Sequence, residues 1–244
     1  MRINPIIRIL LVFGLFSSLI LGCASSKSRT MGWSAKNIAQ SYDRVVNLRD
    51  DDNKIIASVD RDWVRSMMVI KTRIERAVEI PTYLLIIEGE KPNAFAWISE
   101  QRNMVAFNLA MVEFLQKDAD QFAFVFSHEI AHNVEKHSVE NRKRNEGLDA
   151  LGLAVGFGLS FVGVPGGGTI SDAGISLVKR KFDRDQEREA DALGMRYMKL
   201  AGFNPQGAIL FNQRMLRKSV GSSIPFLSTH PTGKERIENL KNSM

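Results

Sequence analysis

Ser127-His128-Glu129-Ile130-Ala131-His132 holds two imidazoles four residues apart, with a carboxylate beside the first. On a helix, residues four apart share a face, so His128 and His132 can converge on one divalent metal. Imidazole nitrogens suit Zn²⁺, and Glu129 can reach a water on that metal and accept its proton. This set supports hydrolysis by an activated water. The chain has four histidines, and three of them (His128, His132 and His137) fall within ten residues. A catalytic zinc site needs a third protein ligand besides the two histidines.

Candidates for that ligand lie in Phe182-Asp183-Arg184-Asp185-Gln186-Glu187-Arg188-Glu189-Ala190-Asp191. This run opens a helix expected to reach about Ala201. Glu187 and Asp191 share a face, whereas Glu189 lies about 200° round from Glu187, so only one of the two glutamates can face the metal. Glu187 as ligand, with Asp191 orienting an imidazole N–H, would complete a His₂Glu site. A solvated helix start rich in acids explains the same residues, and spacing alone leaves both readings open. His137 follows His132 by five residues, and Glu135 and Ser138 stand where a metzincin needs Gly and His, which excludes that class. On a continuing helix His137 points away from the ligand face, beside the site or at the surface.

The elements that must position these groups are readable from patterning. Asp118-Ala119-Asp120-Gln121 reads as a helix start before the apolar run Phe122 to Phe126, giving a metal helix over 118–140. Apolar residues at helical spacing predict helices over 37–49 and 55–79, separated by a turn at Asp50-Asp51-Asp52-Asn53. That acidic turn lacks the Gly and distant Glu of a calcium loop. Strands are expected at 83–87, 94–99 and 104–107, then a short helix at 109–115. Asn204-Pro205 starts a helix to about Val220, and Thr232 is the expected cap of the closing one. The predicted fold class is α+β: a mainly helical zincin-like metallopeptidase domain with a small antiparallel sheet beside the metal helix.

Residues 1–22 differ in kind. Arg2 and Arg8 flank a short basic start, an apolar run follows, and no acid precedes Asp43, the pattern of an export signal. Ile20-Leu21-Gly22-Cys23 resembles a bacterial lipobox, which implies diacylation of Cys23, the chain's one cysteine. The division is then signal over 1–22, lipidated flexible tether over 23–36 and peptidase domain over 37–244. Ala24 after the cysteine, by resemblance to enterobacterial sorting, implies the outer membrane, with the domain facing the periplasm. Removing Arg2 and Arg8 lowers the net charge from +6 to +4, spread without a basic run, so nucleic acid is not an expected partner. The stretch 147–168 holds eight of eighteen glycines among apolar residues. It reads as a tightly packed helix and loop, or as a lid or membrane-dipping flap.

HEIAHNVEKHS, EREAD with Ala192-Leu193-Gly194, Ala201-Gly202-Phe203-Asn204-Pro205 and Ser228-Thr229-His230-Pro231 with Arg236-Ile237 together resemble one group of zinc peptidases. These are the relatives of the CaaX prenyl endopeptidase, and the similarity is to their bacterial periplasmic lipoprotein branch, which includes the mitochondrial inner-membrane quality-control protease. The resemblance covers the chain from about Ser34 onward. It implies one Zn²⁺ per chain held by His128, His132 and Glu187, with Glu129 as base. Asn93-Ala94-Phe95-Ala96 is similar to the family's substrate-binding edge strand, although Glu100-Gln101-Arg102 replaces its usual Pro-Gly-Gly turn. His230 is the expected transition-state donor or a reversible fourth zinc ligand, since no other histidine remains outside the metal helix. The resemblance further implies misfolded or unassembled envelope proteins as substrates. The competing function is a metal-stabilised chaperone or assembly factor for outer-membrane proteins; the presence of Glu129 argues against it, because a purely structural zinc site needs no base.

Overall fold

The computed structural model describes residues 30–99, 101–137, 168–170, 181–221, 223–231 and 233–244. Cys23, the signal and residues 147–167 of the glycine-rich stretch lie outside them. Strand β1 (Thr30–Ser34) opens the described chain, followed by α1 (Ala35–Gln40). Residues 30–36 of the stretch expected as a tether are therefore strand and helix. Met31 and Trp33 are buried, and the Trp33 indole N–H donates to Arg49 O at 3.2 Å, which fixes this stretch in the sheet.

Helices were expected at 37–49 and 55–79, but only their outer parts are helical. Val45–Arg49 is strand β2 and Ile55–Asp60 is strand β3, paired antiparallel around the acidic turn. Asp50 Oδ1 accepts from the amides of Asp52 and Lys54, and Asn53 turns the chain at φ 63°. Paired β-branched residues (Val45-Val46, Ile55-Ile56) favour the pleat over a helix, and the helical spacing was accidental. Asp60 then caps α2 (Arg61–Val78), accepting from the amides of Asp62 and Trp63. Trp63, Val64, Met67, Ile70 and Ile74 form its buried stripe.

Strands β4 (Thr82–Ile87), β5 (Ala94–Ser99) and β6 (Arg102–Asn108) fall close to their expected places. With β7 (Gly168–Ile170) they give a sheet of order β5-β6-β4-β1-β7 among the described residues. It is mixed, not antiparallel throughout: β4 and β6 run parallel, Thr82 opposite Asn103 through Ile87 opposite Asn108. The hairpin β5–β6 places its second strand, not its first, against β4, and such an arrangement cannot be read from local patterning. Leu84, Ile86, Val105 and Phe107 face the main core, whereas Leu85, Ile87, Phe95, Trp97 and Ala106 form a second buried cluster. Burial of both faces explains why the strands read as unbroken apolar runs.

After α3 (Leu109–Phe114) comes the metal helix α4 (Ala119–Val134), with Asp118 as N-cap accepting from Gln121 N at 3.0 Å. It ends six residues earlier than expected. Among the described residues four further helices follow: α5 (Arg184–Leu200), α6 (Gln206–Lys218), α7 (Pro225–Thr229) and α8 (Lys234–Asn242). Asn204 starts α6 by accepting from Gln206 N at 2.9 Å. Gly233 stands at the N-cap of α8, and the expected cap Thr232 is outside the described residues. The helix pair α4–α5 lies so close that a Cβ on Gly194 would sit 3.0 Å from His128 N. Only glycine there lets α5 bring its acidic start onto the metal helix. The α+β architecture is as expected.

Candidate metal centre

Gln121 through Asn133 are all buried, so α4 runs through the interior and not along the surface. Its face towards α5 carries His128 and His132. Their Nε2 atoms lie 3.1 Å apart. From α5, Glu187 brings Oε1 within 3.3 Å of His132 Nε2 and Oε2 within 3.7 Å of His128 Nε2. From the end of α7, His230 brings Nδ1 within 3.3 Å of His128 Nε2 and 2.9 Å of Glu187 Oε1. One donor atom from each of these four buried residues falls within 4.8 Å of the others. His, His, carboxylate and His match the donor preference of zinc.

The charge balance fits a dication. Glu129, Glu187 and Asp191 are buried here with one guanidinium, Arg236, as the fixed cation. When His128, His132 and His230 are neutral, as metal ligands must be, two negative charges remain for a divalent ion to offset. Burial opposes it, but Glu187 and Glu129 push His230 towards its cationic form, which meets part of that need in the ion's place. Burial pushes Glu187 up, but Arg236 and His230 more than counter it and hold its carboxyl well below the ordinary range. Burial likewise opposes ionisation of Asp191, and Arg236 and His128 reverse the effect. Burial holds His132 well below its usual range, which keeps it in the neutral, ligating form.

Each helical imidazole is braced from behind. His128 Nδ1 lies 3.1 Å from Asp191 Oδ1, as expected from sequence, which leaves Nε2 facing the centre. His132 Nδ1 meets His137 Nδ1 at 2.9 Å, and His137 Nε2 meets Glu189 Oε2 at 3.2 Å. With His132 Nε2 free for metal, its Nδ1–H donates to His137, whose Nε2–H donates to Glu189. Sequence reasoning placed His137 facing away because it extended α4 to residue 140. The helix stops at Val134, and Lys136 at φ 56° turns the chain so that His137 folds back under His132. Glu189 thus faces away from the metal and towards the outer imidazole. The His137→Ala and Glu189→Gln variants should each lose about 10–100-fold in zinc affinity by chelator competition. Unchanged affinity in both would show that the chain of hydrogen bonds does not position His132.

Arg236 is the second residue that sequence reasoning left without a role. Its Nε and Nη2 donate to the two oxygens of Asp191 at 2.6 and 2.7 Å, and Nη1 stands 2.5 Å from Glu187 Oε2. The available signal was an arginine on the same α8 stripe as Ile237 and Leu240, where a buried guanidinium requires carboxylate partners.

Glu129 is fully buried, and both its carboxylate oxygens lack a hydrogen-bond partner among the described residues. The nearest imidazole nitrogen is His230 Nε2, itself unpartnered, at 3.6 Å. Phe182 stacks on the His132 ring at 3.8 Å, and Phe226 stacks on His230 at 4.6 Å, so apolar rings close the centre against water. Asn93 and Ala94–Ala96 sit at the start of β5, an edge strand in the described sheet. Asn133 Nδ2, next to His132, donates to Trp97 O at 3.2 Å and ties this edge to the metal helix. Asn93 Oδ1 is buried without a partner.

A family model described as Peptidase family M48 matches residues 61–244. The chain is 28% identical over 175 residues to the beta-barrel assembly-enhancing protease of Escherichia coli (strain K12), covering 68% of this chain and 35% of that protein. It is 31% identical over 128 residues to the mitochondrial metalloendopeptidase OMA1 of Saccharomyces cerevisiae, covering 50% of this chain and 35% of that one. The OMA1 of Arabidopsis thaliana matches at 25% over 231 residues, 90% of this chain and 45% of its own. The chain thus spans about a third to a half of the length of these relatives. With most of its length matched, and with a buried donor set that suits one zinc ion, the chain belongs to peptidase family M48.

Proposed function

We propose that the chain is a zinc metalloendopeptidase that cleaves misfolded or unassembled proteins of the bacterial cell envelope, with Glu129 as general base. A buried carboxylate without partners, beside four converging donors, carries this reading. In it, His128, His132 and Glu187 hold the zinc and Asp191 orients His128. Bound there, zinc supplies a Lewis acid and lowers the pKa of a water in its shell towards about 7. Glu129 would serve as the proton acceptor of the attacking water and would return the proton to the leaving amine. The edge of β5 pairs with an extended substrate through main-chain hydrogen bonds, and Asn93 Oδ1 offers an acceptor at the strand's start.

His230 is read as a reversible fourth ligand. Its Nδ1 stands among the metal donors, and its Nε2 faces Glu129, so it occupies both the place of the water and the approach to the base. Movement of the loop after α7 then opens the site. The finer kinship to the CaaX prenyl endopeptidase type, lipidation at Cys23 and an outer-membrane, periplasm-facing location belong to this proposal. They rest on residues 1–23 and on the similarity to a protease whose name links it to β-barrel assembly. A partnership with envelope assembly machinery rests on the same name.

The test is cleavage of unfolded casein by the full chain in detergent, with and without chelator, for wild type and His230→Ala. Chelator-sensitive cleavage that rises several-fold in His230→Ala, with about one zinc retained, is the expected result. A fall of tenfold or more with zinc retained would instead make His230 a transition-state donor. Zinc bound but no cleavage by either protein would favour the assembly-factor reading.

A further inference from the structure

A second cleft lies away from the metal, with a volume of about 440 Å³, between the β2–β3 hairpin, the start of α2, the β4–β5 loop and α3. Residues 57–60, four consecutive residues of β3, line it. Neighbouring residues of a strand point to opposite faces, so a cleft touching all four meets the strand's edge and not one face. β3 pairs only with β2 in the described structure, which leaves that edge without a partner strand. Trp63, Leu109 and Val112 line the cleft with apolar surface. Trp63 is 7% exposed, and its Nε1–H has no acceptor among the described residues. A buried indole donor without a partner is costly and marks a place where an acceptor is expected.

The charges around the cleft give the occupant a sign. Lys117 Nζ lies 2.6 Å from Asp60 Oδ2, so those two neutralise each other. Glu90 and Glu113 also line the cleft, are exposed, and enter no ion pair among the described residues. The cleft therefore combines an open strand edge, an apolar wall, an unsatisfied donor and two free carboxylates. We propose that it binds an extended polypeptide segment of alternating apolar and basic residues, added as a third strand on β3. The segment's main chain would pair with the open edge of β3, and its basic side chains would meet Glu90 and Glu113. Glu90 stands three residues before Asn93, about 10 Å of extended chain, so one long polypeptide can engage this cleft and the β5 edge together.

Binding is measured with the full chain carrying Glu129→Gln, so the outcome does not depend on whether the zinc site hydrolyses peptides. The probe is a blocked, fluorescently labelled heptapeptide alternating valine and lysine, read by anisotropy at low salt. The expected result is saturable binding that weakens at least tenfold in the Glu90→Lys/Glu113→Lys double variant, both positions being exposed. A glutamate version of the peptide should show the reverse order, binding the double variant better than the unreversed chain. No binding by the unreversed chain overturns the proposal. So does equal binding of both peptides, or no response to charge reversal.

Discussion

The Glu129→Gln chain should bind about one zinc and cleave unfolded casein some 10²–10⁴-fold more slowly than wild type, the range expected on removing a general base. Gln keeps the size and shape of the side chain, so the four donors around the metal stay in place while the proton acceptor is lost. The environment supports that role. Burial pushes the Glu129 carboxyl above the ordinary carboxylate range, against the opposing pull of His230 and His128, and a more basic carboxylate is a better proton acceptor. The same burial predicts an effect on stability. An acid whose pKa is raised by folding costs stability as pH rises past its unfolded value, because the native state must then ionise a buried group. The zinc-free Glu129→Gln chain should therefore melt at a higher temperature than zinc-free wild type near neutral pH, and the difference should vanish as pH falls below about 4. Full cleavage by the variant with zinc bound would remove Glu129 from the mechanism.

The parts of this centre that could be read in the sequence share a physical basis. His128, His132 and Glu129 sit within one helical turn, where backbone geometry alone fixes which side chains share a face. The Glu187–Asp191 pair is legible for the same reason, although choosing Glu187 over Glu189 needed either the resemblance or the structure. What escaped depends on chain reversals and on contacts distant in sequence. His137 reaches His132 only because Lys136 adopts a left-handed conformation, and Arg236 meets Asp191 across 45 residues. The β2–β3 hairpin was misread because Ile38, Val45 and Leu48 happen to lie at helical spacing and 55–60 was joined to the helix carrying Trp63, while pairing across the acidic turn decides the outcome. The parallel contact of β4 with β6 is equally invisible locally, since the same apolar strands would be compatible with either order.

Arg236→Met should destabilise the zinc-free chain by about 3–5 kcal/mol, the cost of leaving buried charge without its counter-ion. Arg236 is 6% exposed, gives Asp191 two parallel hydrogen bonds and stands against Glu187, so its loss orphans two carboxylates at once. Methionine preserves most of the buried volume, which separates the electrostatic loss from a cavity. Zinc changes the size of the loss. A dication on Glu187 takes over part of the neutralisation that Arg236 provides, so the penalty with saturating zinc should be smaller than without it. Thermal melts of wild type and variant with zinc and with chelator give the four values needed. Arg236→Lys should fall between the two chains, because an ammonium keeps the charge but cannot grip Asp191 with two parallel donors while also facing Glu187. Equal losses with and without zinc would mean that Arg236 acts through Asp191 alone, a carboxylate that the metal does not touch. No loss in the zinc-free chain would mean that Asp191 and Glu187 are not both ionised there. A selective loss without zinc would establish that guanidinium and metal share the task of holding the Glu187 carboxylate inside the fold.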